Sequence, residues 1–234
     1  MTYVEHPPPP ALAPWLECLW ERRGEAGTPV RVLPDGCIDV VWTEARGTHV
    51  VGPNTSAFLV DLPDGVRVVG VRLHPGAAPA LLGIGAEGVR DARVEIHQAF
   101  GDPGHRLADD LERSWDRPRV LLAALAGLAR RAEAPDPLVR AAVARLHEPA
   151  ATVREVAREL SVSERQLRRR VAGAVGYGPK RLARVLRLSR ALASARAGEE
   201  LAGAALGAGY ADQAHFAHEC RELAGVSPST LLGP

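Results

Sequence analysis

Four arginines, Arg165, Arg168, Arg169 and Arg170, fall within six residues, and beside them only Glu164 carries the opposite charge. A guanidinium donates in pairs from a planar fork that fits a phosphate or the O6/N7 edge of guanine. The chemistry open to these residues is recognition of a polyanion rather than bond making. Their placement depends on the stretch TVREVARELSVSERQLRRRV at 152–171. Thr152 with Glu155, and Ser163 with Gln166, have the spacing of capping boxes, which predicts helices starting near Val153 and Glu164. Val153, Val156, Ala157 and Leu160 make one apolar stripe on the first helix. Leu167 and Val171 do so on the second, which turns the arginines away from the packed face. Two short helices joined by so tight a turn meet steeply, and in that arrangement the second helix enters the major groove of DNA. The plainer alternative is a surface helix with a solvated charge face.

A second set of candidates lies in the first half. VRVLPDGCIDVVW (30–42) reads as strand, turn, strand, and VRVVGVRL (66–73) as a β-branched strand. Alternation puts Cys37, Asp39 and Val41 on one face and Ile38, Val40 and Trp42 on the other. Arg72 and His74 share a face with Gly70. Cys37, Asp39, Arg72 and His74 are thus the candidates to hold a small polar ligand inside a barrel. The alternative is that Asp35 and Asp39 cap turns, Arg72 pairs with a carboxylate and His74 sits on the surface. His49, His74, His97 and His105 show neither H-x-H nor H-E-x-x-H spacing, so no metal is expected. No GxSxG, P-loop or dinucleotide fingerprint is present, and no catalytic residue or cofactor is expected.

The elements that carry these residues divide the chain in two. Residues 1–137 hold 14 Lys and Arg against 19 Asp and Glu, and residues 138–234 hold 15 against 9. A near-neutral chain therefore conceals an acidic half and a basic half, and only the basic half suits a polyanion. ARRAEAPDP (129–137) has the composition of a linker. In the first half, short strands spaced by Pro/Gly turns indicate a small barrel or sandwich. Helical spacing follows at Leu107, Leu111 and Trp115, and again at Leu121, Leu125 and Leu128. No apolar run reaches membrane-spanning length, and MTYVEHPPPP has no basic region before an apolar stretch, so neither a membrane span nor a secretory signal is expected. Cys18, Cys37 and Cys220 lie far apart and form no CxxC pair, which argues against a disulfide framework or structural zinc, and the reducing cytoplasm is the expected compartment.

After the first unit, Pro179 opens a helix of about five turns that ends before Gly198. A small-residue helix (201–210) follows, then Asp212 as a cap, then Phe216, Cys220 and Leu223 at helical spacing, and Ser227-Pro228 begins a last short helix. The theme of the first unit repeats. A rigid rod between two such units can set them one DNA turn apart, roughly 34 Å, in successive major grooves.

Residues 138–234 resemble the DNA-binding domain of the AraC/XylS family of bacterial transcription regulators. The likeness runs through the first unit, Gly176-x-x-Pro179, Arg187-Leu188-x-x-Ala191, Gly209-Tyr210-x-Asp212-Gln213-x-x-Phe216 and Gly225-x-Ser227-Pro228. LPDGCIDVVW, GPNT and GVRLHPG resemble sensor domains found ahead of some AraC-type regulators. The resemblance implies base reading by Arg165, Gln166, Arg168 and Arg169 in the first unit and by Gln213, Ala214, His215 and His218 in the second. The second unit departs from the family pattern: His218 stands for an arginine, Cys220 for a phenylalanine and Ala204 for an isoleucine. Gly203 and Gly207 weaken its supporting helix by roughly 0.5–1 kcal/mol each relative to alanine. The second reader should be the weaker one, and Cys220, on the core face, should pack rather than sense oxidants.

The expected fold is α+β. A small cupin-like β-barrel with helices (1–130) is followed by a linker (131–137) and an all-α domain with two helix-turn-helix units (138–234). The expected function is sequence-specific, ligand-responsive transcription regulation. Its partners would be promoter DNA, a small-molecule effector and, for an activator, RNA polymerase. A homodimer through the helices at Leu107–Trp115 and Leu121–Leu128 is left open. The alternative is a small-molecule-binding or catalytic β-barrel whose helical domain serves only autoregulation.

Overall fold

The computed structural model of the chain describes residues 3–27 and 29–233. In chain order the elements are β1 (Tyr3–His6), β2 (Leu16–Arg23), β3 (Val30–Val32), β4 (Ile38–Thr43), β5 (Gly47–Val51), β6 (Phe58–Val60), β7 (Arg67–Leu73) and α1 (Ala78–Leu82). A 3₁₀ turn (Ala86–Val89), β8 (Arg93–Glu95), α2 (Ile96–Phe100), α3 (Asp102–Arg113) and α4 (Arg117–Ala129) complete the first half. The second half is helical: α5 (Pro137–Leu146), α6 (Val153–Glu159), α7 (Glu164–Val175), α8 (Pro179–Arg196), α9 (Leu201–Gly207), α10 (Gln213–Ala224) and α11 (Pro228–Leu232).

Six strands form an antiparallel sheet in the order β1-β2-β7-β4-β5-β8. Its alternation is that of a sheet with two unlike faces. Ile38, Val40 and Trp42 of β4 and Val69, Val71 and Leu73 of β7 are buried on one face, in a core with Leu111, Leu121 and Leu125 of α3 and α4. Trp42 Nε1 donates to Glu112 Oε1 (2.9 Å), and the Arg117 guanidinium lies 4.1 Å over its ring. Leu107 and Leu111 thus spend their stripe on the chain's own sheet. Trp115 does not continue it, because α3 ends at Arg113 and Ser114 is extended; the indole is 84% exposed.

The strand–turn–strand at 30–42 is not a hairpin. β3 pairs with β6 as a separate two-stranded ribbon, while β4 pairs with β5 and β7. The Pro34-Asp35-Gly36 turn carries the chain from ribbon to sheet. The eight strands therefore build a sheet-rich domain in two parts, with a space between them.

In the helical half, the Asp136 side chain accepts from the N–H groups of Leu138 and Val139, and both predicted capping boxes close around Thr152 and Ser163. α8 divides its buried residues between two cores. Leu182, Val185 and Leu186 join Val156, Leu167 and Val171 beneath the first unit. Leu188, Ala191 and Leu192 join Phe216, Cys220 and Leu223 beneath the second. Among the described residues no helix is long and apolar enough to cross a membrane.

The halves are in direct contact. Arg90 Nη1 donates to the Gly176 carbonyl (2.9 Å), Arg31 Nη1 to that of Ala224 (2.8 Å) and the Ala57 N–H to that of Leu223 (2.7 Å). Gly176 closes α7 at φ 93°, where a β-carbon would lie 2.6 Å from Pro53 Cγ. We expect Gly176→Ala to combine left-handed strain with that clash and to cost about 1–3 kcal/mol. Urea denaturation checks this; unchanged stability would mean that the junction yields freely.

Candidate nucleic-acid interface and ligand pocket

All eight residues expected to read bases are exposed, and all lie on α7 or α10. Leu167 and Val171 are fully buried, so the face bearing Arg165, Arg168 and Arg169 points outward. Among the described residues these three have no ion-pair partner, whereas Arg170 is held by Asp136 at 2.7 Å. Gln166 has a local duty: its Oε1 accepts from the N–H and the hydroxyl of Ser163, both at 2.9 Å. In the second unit the Asp212 side chain accepts from the His215 N–H (2.7 Å), and the His215 ring stands edge-on to Tyr210 at 5.1 Å. His218 Nε2 lies 3.5 Å from Glu222. Gln213 and Ala214 open α10 beside the cap. Three unpaired guanidiniums on α7 against none on the exposed start of α10 make the two helices unequal as anion binders.

Between the sheet's second face, the β3–β6 ribbon and one side of α8 lies a cavity of about 480 Å³. Of the four ligand candidates, Asp39 and Arg72 line it; Cys37 and His74 do not. His74 is exposed, and the buried Cys37 thiol donates to Glu17 Oε2 at 3.4 Å. Arg72 is surrounded by carboxylates: its Nε is 3.3 Å from Asp35 and 3.4 Å from Asp39, and its Nη1 is 3.4 Å from Glu5. The Nε–H aligns with neither aspartate as a hydrogen bond, so the attraction is ionic. Trp20 Nε1 donates to Asp39 Oδ2 at 3.0 Å. Its indole lies flat across β7, where a β-carbon on Gly70 would come within 2.3 Å of the ring; only glycine leaves that room.

Burial, then the neighbouring Asp35 charge, pushes the Asp39 carboxyl up to about 7 although Arg72 opposes the shift. Burial likewise raises Asp35 and Cys37, and pushes Cys18 up to about 12 and Cys220 up to about 11. The thiols stay protonated, as packing groups do.

Five more arginines border the cavity, Arg22, Arg31, Arg46, Arg93 and Arg196, and the last four have no carboxylate partner among the described residues. Burial and then the Arg46 charge lower the Arg93 guanidinium, which lies 5.3 Å over the Phe58 ring. Leu188, Ser189 and Leu192 bring α8 into the wall. Sequence reading misses these groups, because only the pairing of distant strands places them together. The alternation of Cys18, Trp20 and Arg22 in β2 was the one legible signal for Trp20.

Residues 156–233 match the family described as a helix-turn-helix domain, and residues 4–95 a domain of unknown function (DUF6597). No curated protein matches the sequence. Among solved structures, a single-substitution variant of apo ToxT from Vibrio cholerae shares the fold at 11% identity and TM-score 0.54, over 92% of this chain and 96% of that one. Another ToxT structure gives 13% identity and TM-score 0.50, over 91% and 95%. The C-terminal domain of AraT, a response regulator from Geobacillus stearothermophilus, is 24% identical over 42% of this chain and 84% of that one, with TM-score 0.39.

The Asp39 geometry has a pH signature. Its carboxyl rises from 3.8 to about 7 on folding. Between those values the folded state holds a proton that the unfolded state has lost. This group's contribution to stability therefore declines as pH rises through that window, and the ionised carboxylate opposes folding above it. We expect a fluorescence transition of the adjoining Trp20 with a midpoint near pH 7, and a loss of Tm across the window, both absent in Asp39→Asn. Identical profiles in the two proteins would assign the transition elsewhere.

Proposed function

We propose that the chain is an AraC-type helix-turn-helix regulator that reads two adjacent major grooves unequally and answers to a small molecule held against α8. The observation that carries the reading is the capped helix α7, which presents Arg165, Arg168 and Arg169 outward and without an ion-pair partner among the described residues. α8 spans 18 residues, about 27 Å at 1.5 Å per residue, and separates the two reading helices. We take residues 1–130 as the sensor, 131–137 as the linker and 138–234 as the DNA-binding part. Promoter DNA is the partner, with RNA polymerase joining it if the regulator activates. A second copy would meet this one at Trp115, between α3 and α4, and at Leu128 of α4, both exposed apolar groups; a monomeric mass with and without DNA would overturn that contact.

The sensor reading is supported by the cavity. Its walls are largely Val, Leu and Phe, and its unpaired charges are arginines, so it suits a mostly apolar molecule bearing one anionic group. Such a ligand touches the helix that spaces the readers. It thereby favours whichever arrangement of domains binds it better.

Two measurements test these readings. Fluorescence anisotropy with the chain's own upstream DNA and a scrambled duplex, at several salt concentrations, should show selective binding with a steep salt slope. Arg169→Ala should lose about tenfold or more, and His218→Ala less. Equal affinity for scrambled DNA, unaffected by Arg169→Ala, would reduce the arginines to a charged face. Separately, naphthoate should raise Tm in wild type but not in Arg93→Gln, and naphthylmethylamine should not. The reverse preference would assign the cavity to cations.

A further inference from the structure

α10 carries a buried carboxylate for which DNA reading has no use. Glu219 is 4% exposed. Its oxygens accept from Arg184 Nε at 2.8 Å, Arg187 Nη2 at 2.9 Å and the Tyr210 hydroxyl at 2.8 Å. Arg184 also reaches Glu222, one turn from Glu219 along α10. The Arg187 guanidinium covers the Tyr210 ring at 4.6 Å. Two cations one turn apart on α8 thus converge, with a tyrosine from the turn between α9 and α10, on one side chain of the second reading helix.

This contact constrains orientation in a way that the surrounding packing does not. Hydrogen bonds from a planar guanidinium to a carboxylate are directional in distance and plane, whereas apolar surfaces tolerate repacking. The first unit has large apolar anchors in Val156, Leu167, Val171 and Val175. In the second, α9 is LAGAALG, and its buried residues are Ala204 and Ala205. Phe216, Cys220 and Leu223 pack α10 against α8, but the small side chains of α9 leave it short of directional groups. The ionic contact supplies them, and through Tyr210 it extends to the His215 ring on the exposed face of the reader.

We propose that Glu219 is the positioning residue of the second reader: by fixing α10 on α8 it sets the spacing at which the second half-site is read relative to the first. The proposal rests on the DNA-reading function above. The test is selection of preferred sites from a random duplex library by the full-length protein, followed by affinity measurements on the selected site and on one lengthened between its halves by about half a DNA turn, roughly 5 bp.

Wild type should select two blocks about one turn apart and lose tenfold or more on the lengthened site. Glu219→Leu should keep the first block, lose preference in the second and respond to the insertion by less than twofold. Glu219→Gln, which keeps an acceptor for Tyr210 and one arginine, should restore part of the spacing dependence. Should Glu219→Leu fail to fold by circular dichroism, Arg187→Met removes one limb of the contact and is read in the same way. A folded variant that loses affinity uniformly, with wild-type spacing dependence, would overturn the proposal. A wild type that selects no sequence at all would instead remove the DNA-reading premise, and the proposal with it.

Discussion

Helix α8 has scarcely a side of its own, and the rest of the structure depends on how its surface is shared. Leu182, Val185 and Leu186 belong to the core of the first helical unit, Leu188, Ala191 and Leu192 to that of the second. Leu188 and Leu192 also face the cavity of the sheet-rich half. Its cations are divided in the same way: Arg184 and Arg187 hold Glu219, Arg190 donates to the carbonyl of Ala208 at 2.8 Å, and Arg181 to that of Thr55. A helix is stiff along its axis and its packed neighbours are dense. The same helix thus joins the cavity wall to the cores of both units.

Charge is used in two ways along the same arginine-rich chain. Arg170 has the sequence context of its neighbours, yet it is tied to Asp136, which at the same time caps α5. Gln166 likewise closes the cap of its own helix. Part of the apparent reading surface is thus scaffolding. Among the described residues Arg165, Arg168 and Arg169 have no ion-pair partner, which leaves their long-range attraction to a polyanion.

In the sheet-rich half the buried charges act locally. Three carboxylates around Arg72 leave more negative charge than one guanidinium neutralises, and a site of low polarity makes that imbalance costly. The imbalance falls on Asp39, against the indole of Trp20. The arginines bordering the same cavity carry the opposite imbalance. The cavity is therefore polar in its charges and apolar in its walls.

The sequence by itself determined whatever depends on groups three or four residues apart. The capping boxes at Thr152 and Ser163, Pro179 at the start of α8, Gly198 at φ 98° beyond its end, and the apolar stripes of α6 and α7 are all local, and all stand where their spacing puts them. Strand alternation likewise grouped Asp39 with Val41 and Arg72 with Gly70, and the β4–β7 register then sets Asp39 opposite Arg72 at 3.4 Å. Only the tertiary structure decided that β3 leaves β4 for β6, that Trp115 turns outward, that arginines from separate segments ring one cavity, and that Glu219 faces two cations of α8. Each of these depends on which distant segment becomes a neighbour. That choice follows from the summed burial and pairing of the whole chain, and no short window of residues carries it.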